Sequence, residues 1–563
     1  MKKTILALCA LAAVSAQAQE DNKVTLSGSI QSDMLVFPED DPESGTNYGT
    51  KKDFLTNTYA ELHLQSKYLS AGARLEYMEN PLPGFERGFA GWGVPHMYLK
   101  GNYKGVELTL GDFYEQFGSG LILRTYEERA LGVDNSLRGA RLAVRPFKGV
   151  SLKVLGGEQR EYWESRDFND ENPLVAGADL EINVDAYSKK MQDKNIYLTL
   201  GLSGVMKFED QEDILTVNNG VPSKLNLPED VGAFDVRANL QAGNYNFLAE
   251  YAWKSQDPSF DNGYIYRHGN TLLLSGSYSK KGFSALLQAK RTEDMSFRSK
   301  RSQTGTARFI NHLPAFSTQH TYALAALYPY ATQNALGEWA FQGELGYNFK
   351  RNTLLGGKYG TKVKLNASHI RGIDRELVAP STDLMGTEGY KTNFFEMGDE
   401  TYYQDINLSI EKKLTKDFKL NLMYMNQRYN QFVIEGHGNT FTSNIFIAEG
   451  KWNISKKVAL RGEAQYLTTS GDQGDWAYGL LELSVLPGFM FTVSDMYNAN
   501  VPNAGGTATS AQHFYNVGGC YTYKAHRLQL AYGKTRAGFN CSGGVCRYVP
   551  ASKGFTVSYN FNF

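Results

Sequence analysis

The chain has 563 residues and a formal net charge of -1, with 58 Lys and Arg against 59 Asp and Glu. That near balance argues against a nucleic-acid partner or an extended polybasic surface. Although 13% of residues are aromatic, with 35 Tyr and 56 Gly against 16 Pro, no apolar run after Val14 reaches the roughly 20 residues of a membrane helix.

Residues 1–18 have the form of a cleaved secretory signal. Lys2 and Lys3 make a basic start, Ile5 to Val14 an apolar stretch, and Ala16-Gln17-Ala18 a small-x-small cleavage site. Loss of the two lysines takes the formal charge from -1 to -3. Residues 19–563 then read as one domain, because no composition shift marks a second.

From Val24 onward, apolar and polar residues alternate in runs of about nine to eleven, the length at which a tilted strand crosses a bilayer. Leu26, Gly28 and Ile30 begin the series, Ala60, Leu62 and Leu64 continue it, and Phe418, Leu420, Leu422 and Tyr424 repeat it late in the chain. Alternate side chains leave a strand on opposite faces, so each run has one apolar and one polar face. Links such as Lys104-Gly105 and Gly243-Asn244 are tight, whereas those near 37–54, 113–136, 208–231, 292–318 and 371–402 are long. Short turns at one end and long loops at the other are the habit of outer-membrane barrels. Tyr68, Tyr103, Tyr347, Tyr429 and Tyr523 fall near run ends, where interfacial girdles sit.

The expected fold is all-β, a transmembrane antiparallel up-and-down β-barrel. About 25 strands can be traced, and parity breaks between Ala289 and Tyr347. With both chain ends on one side the number is even, so 26 strands are expected, with 24 as the other count. The first strand begins within about six residues of the cleavage site, which leaves no room for a plug domain. The last run, Phe555, Val557, Tyr559, Phe561 and Phe563, resembles the C-terminal assembly signal of outer-membrane barrels.

Charges on the polar faces would be costly in lipid, about 2–4 kcal/mol for Arg or Lys near the midplane, so they belong in the lumen. Arg141, Arg145, Arg237, Lys290, Arg461 and Glu463 are the candidate lumen wall. They form either cross-strand ion pairs or a charged pore that selects polar solutes. Between Asp112 and Arg138 the alternation lapses and Gly118 and Gly120 permit unusual turns. Leu121-Ile122-Leu123 is too apolar for an open loop, so Glu115, Arg124, Glu127, Glu128, Arg129, Asp134 and Arg138 are candidates for an inward constriction. The alternative is an outer loop packed over the rim.

Arg291, Arg298, Lys300, Arg301 and Arg308 form a basic stretch, suited to lipopolysaccharide phosphates, to an anionic solute or to plain solvation. Cys541 and Cys546 bracket four residues in an exported chain, where a disulfide, free thiols or a metal pair are the alternatives. No cofactor is implied, and neither His-Glu-x-x-His nor Gly-x-Ser-x-Gly occurs, so no enzyme is expected.

Five stretches, at 111–118, 123–129, 256–266, 311–316 and 546–554, resemble an uncharacterised family of outer-membrane barrels from Bacteroides-like bacteria. The resemblance implies fold and location, the cell outer membrane, and no activity. Two functions follow as expectations. One is a passive or gated porin-like channel for polar solutes. The other is a structural or docking barrel with a loop-occluded lumen that binds a surface or periplasmic partner. Expected partners are outer-membrane lipid and lipopolysaccharide, the barrel-assembly machinery and a surface lipoprotein, with no nucleic acid.

Overall fold

The computed structural model describes residues 24–563 apart from 43–45, 47, 49–53, 161–162, 164–171, 219–220, 380–383, 503–508 and 543–544. The proposed signal, residues 1–18, lies outside the described residues. Twenty-four strands hydrogen-bond in one antiparallel sheet, from Thr25–Val36 to Ser552–Asn562. These two strands pair with each other, Ser29 opposite Asn562 and Val36 opposite Phe555, so the sheet closes on itself. Closure removes the free edges that an open sheet of this size would expose.

Sequence alternation fixes which face is outside. Leu26, Leu202, Leu287 and Leu481 are all more than half exposed, whereas Thr271, Asn366 and Asp405 on inward positions are fully buried. Grease outside and charge inside is the polarity of a membrane barrel, inverted from that of a soluble one. At the short-turn end, outward rings meet in series: Tyr68 with Tyr103 at 5.6 Å, Tyr245 with Tyr278 at 4.7 Å, and Tyr278 with Phe283 at 6.0 Å. Tyr429 is the exception, for its ring is fully buried inside the barrel beside Tyr403 and Tyr328.

Among the described residues the wall has 24 strands, the second of the two counts expected and not 26, and the region where parity broke holds no further wall strand. After Phe283–Glu293 the chain leaves the wall and re-enters it only at Glu338–Phe349. Residues 294–337 run through the lumen, where Phe297, Ile310, Leu313, Phe316, Leu324 and Tyr328 are buried. Their apolar density resembles that of a wall strand, but they lack its two-residue period. The lumen is occupied by the barrel's own inter-strand loops.

Candidate functional site: the loop-filled lumen

Two loops turn inward, residues 114–136 and 294–337. They share one apolar core in which Phe117, Leu121, Ile122 and Leu123 meet Met295, Ile310, Leu313 and Phe316. Backbone bonds stitch them together: Arg124 N donates to Ile310 O at 2.8 Å and His312 N to Gly120 O at 3.0 Å. Gly118 has φ +51, and a Cβ there would lie 2.5 Å from Glu250 and 2.9 Å from Arg237. A larger residue would hold the loop off the wall. Instead Ser119 N donates to Glu250 Oε1 at 3.0 Å.

The wall grips the first loop through charge. Arg74 pairs with Glu76 at 2.8 Å on its own strand and with Glu127 at 2.9 Å on the loop, and it also meets Asp134. Arg160 pairs with Glu76 at 2.8 Å and reaches the same Asp134. Burial by itself would raise the Asp134 carboxyl, yet Arg160 and Arg74 outweigh it and hold it well below the usual range. Glu127 ends above that range because burial outweighs its arginine partners. Arg129 joins Glu127 at 2.7 Å, meets Glu61, and lies 4.3 Å over the Tyr59 ring.

Around the wall, Arg141 pairs with Glu107 at 2.6 Å and with Glu115, which also takes Lys153 at 3.0 Å. Burial pushes Glu115 up, but Lys153 and Arg141 more than offset it and hold the carboxyl low. Arg237 bonds Glu181 and Asp235, both at 2.9 Å. Arg138 pairs with Asp112 at 2.8 Å, Arg124 lies 4.7 Å over Tyr126, and Glu128 accepts from Ala130 N at 3.3 Å.

The second loop crosses the lumen. On one side Arg301 meets Glu209 at 3.1 Å and Lys254 Nζ donates to Ser296 O at 2.5 Å. Lys290 and Glu338, both fully buried, pair at 2.9 Å where the loop leaves and rejoins the wall. Lys290 also donates to Pro314 O at 2.6 Å, and Glu338 accepts from Gln333 N at 2.9 Å and from Tyr330 Oη. On the opposite wall, His320 Nε2 lies 2.6 Å from Asp405, Tyr328 Oη donates to Asp472 at 2.9 Å, and Leu324 N donates to Gln465 at 2.8 Å. Tyr322 Oη reaches Glu449 at 3.3 Å, in the short-turn half of the strand Thr440–Asn453. The loop thus spans the lumen's width and much of its depth.

Most wall candidates face this interior. Arg461 and Glu463 join a network with Glu449, 3.1 Å from Arg461. Arg145 does not, for it lies past the strand Leu137–Val144 in a short turn and is exposed. The basic stretch divides: Arg298, Arg301 and Arg308 are buried with the inner loop, while Arg291 points outward. They are therefore not one solvated run, for the inner loop takes three of them and the outer face takes Arg291. Cys541 and Cys546 face each other across the hairpin Gly538–Ser542 and Val545–Val549, their Cα atoms 4.1 Å apart and their sulfurs joined. The hairpin touches the inner loop, where Gln319 Nε2 donates to Cys541 O at 3.4 Å.

Fold and lumen together define a membrane β-barrel occluded by its own loops. The chain belongs to a family of unknown function (DUF6029), whose model spans residues 1–563. Comparison with curated proteins finds no match. Among solved structures it is similar to the P pilus usher (PapC) translocation pore, at 10% identity and TM-score 0.44, covering 96% of this chain and 99% of that one. A mutant of the ferric enterobactin receptor (PfeA) from Pseudomonas aeruginosa gives 11% identity and TM-score 0.45, covering 96% and 80%. OccAB3 of Acinetobacter baumannii gives 10% and 0.34, covering 96% and 100%. All three scores are below 0.5, so these likenesses assign no role.

Proposed function

We propose that the protein is exported through a cleaved signal to the cell outer membrane and works there as a gated channel for polar solutes, closed by its own loops in the state described. The observation that carries this reading is the shape of the occlusion. Residues 294–337 form one connection between neighbouring strands, held by side chains that can exchange partners, inside a wall lined with both signs of charge. Wall charges nearer the short turns remain solvated: the Lys364 and Arg461 side chains are 49% and 29% exposed. Such a wall suits polar cargo. No catalytic step is assigned to it. Lipopolysaccharide, the barrel-assembly machinery and a surface lipoprotein are the partners proposed.

A second reading, a docking barrel whose lumen never opens, draws on the apolar core shared by the two loops. Planar-bilayer recording separates the two. Thr292 already pairs with Glu338, so a turn of about four residues can replace 294–337. The channel reading expects rare openings from the intact protein and a stable open level from the shortened one. A shortened barrel that folds yet stays silent would overturn it.

A further inference from the structure

One patch on the outer face breaks the barrel's greasy pattern. Across four adjacent strands, Leu272, Arg291, Trp339 and Arg371 are register partners in a row. Leu274, Leu287 and Leu345 lie on the same outward face and are 42%, 71% and 50% exposed. Arg291 thus faces the lipid side two residues from the long-loop end of Phe283–Glu293, at the depth where hydrocarbon gives way to headgroups. Trp253, stacked on His268 at 5.3 Å, and Trp339, stacked on Phe341 at 5.8 Å, mark that interface.

Arg291 does not snorkel to water. Its side chain is fully buried beneath Phe394, whose ring centre is 4.4 Å from the guanidinium. One terminal nitrogen donates to Asn270 at 2.5 Å and the other to Glu293 at 2.7 Å, while Nε has no partner. Glu293 is shared, since Arg267 also binds it at 2.5 Å and lies 4.1 Å over Tyr390. One carboxylate thus serves two guanidiniums. Arg267, His268, Asn270, Arg291 and Phe394 line a cavity of about 410 Å³, with Glu388, an exposed carboxylate, also on its lining. Nearby, Phe395 is 79% and Leu377 50% exposed, so apolar surface adjoins the charged cavity.

We propose that this cavity binds the phosphate of an outer-leaflet lipid, with the partly exposed Arg267 meeting the phosphate, the buried Arg291 sharing Glu293 behind it and adding positive charge, and the aromatic segment at 390–395 flanking the acyl base. Arginine is suited to phosphate because its donors match the oxygens in pairs. A free anion would gain nothing from a cavity at lipid depth, whereas a lipid brings its phosphate there. The inference rests on the membrane reading and not on conductance. A silent barrel leaves it standing, and a chain soluble without detergent removes both.

Native mass spectrometry of the full barrel in detergent tests it, with bisphosphorylated lipid A, enzymatically dephosphorylated lipid A and inorganic phosphate as probes. The expected result is one bound bisphosphorylated lipid, weak binding of the dephosphorylated form and no competition by millimolar inorganic phosphate. Arg267→Gln with Arg291→Gln should weaken binding at least about tenfold, as expected for loss of charge-assisted hydrogen bonds. Phe394→Ala, which lies outside the wall, should weaken it less while leaving the heat-modifiable gel shift of the folded barrel intact. Equal binding of both lipids, unchanged binding by either variant, or saturation by inorganic phosphate alone would overturn the assignment.

Discussion

Replacing Lys290 by Met removes the cation from a fully buried ion pair and keeps the side chain's length. Glu338 would retain two donors, Gln333 N at 2.9 Å and Tyr330 Oη, but lose its counter-charge. Breaking a buried pair by deleting one partner costs about 3–5 kcal/mol. The two surviving donors place this case near 3 kcal/mol, roughly a hundredfold in an opening equilibrium. Because Pro314 and Thr332 lose the Lys290 ammonium as well, the cost should fall on the inner loop and not on the wall ladder. Hydrogen exchange in detergent reads this directly. Amides of residues 310–335 should open about a hundredfold more often, while those of the strands keep their protection, and single-channel openings should rise in step. The double variant Lys290→Met with Glu338→Gln should recover most of the loss, since it leaves no lone buried charge. Unchanged loop protection in the single variant, or a double variant as loose as the single, would refute the reasoning.

Two further outcomes follow from the same geometry. Leu287, 71% exposed near the middle of its strand, should tolerate Arg poorly if lipid surrounds it: about 2–4 kcal/mol lost in reversible folding into bilayers, against almost none if that face meets water. Asp294, the first residue past that strand, is pushed up to about 7 by burial, with Lys254 and Asn262 opposing. Its folded value lies above its ordinary one, so its contribution is complete below about pH 4 and is lost as pH rises through about 7, of the order of 4 kcal/mol in all. Loop protection should therefore fall between about pH 4 and 7 and level off above that, and Asp294→Asn should flatten that profile. A slope that survives the substitution would assign the effect elsewhere.

The alternation from Leu26 to Phe563 determined the fold, because a two-residue period is local and each strand carries its own instruction about which face meets lipid. It also placed Arg141, Arg237, Lys290, Arg461 and Glu463 inside, since lipid excludes charge from the other face. Gly118, Gly120 and the apolar run at Leu121–Leu123 singled out the first loop but left an inward fold and a rim-packed one both open, and only contact with residues 294–337 decides for the inside. Residues 294–337 were not readable in that way. They have no period, and whether their aromatics become a strand, a cap or a stopper depends on the width of the finished cylinder, on Glu209 just past the strand that ends at Phe208, and on Asp405, Glu449 and Gln465 on distant strands. The same holds for Arg291, whose lipid-side position is fixed by register, while the neighbours that bury it, Phe394 and Asn270, are set only when the 390–396 segment folds back over the wall. Local patterning wrote the cylinder; contacts between remote strands decided that it is closed from within.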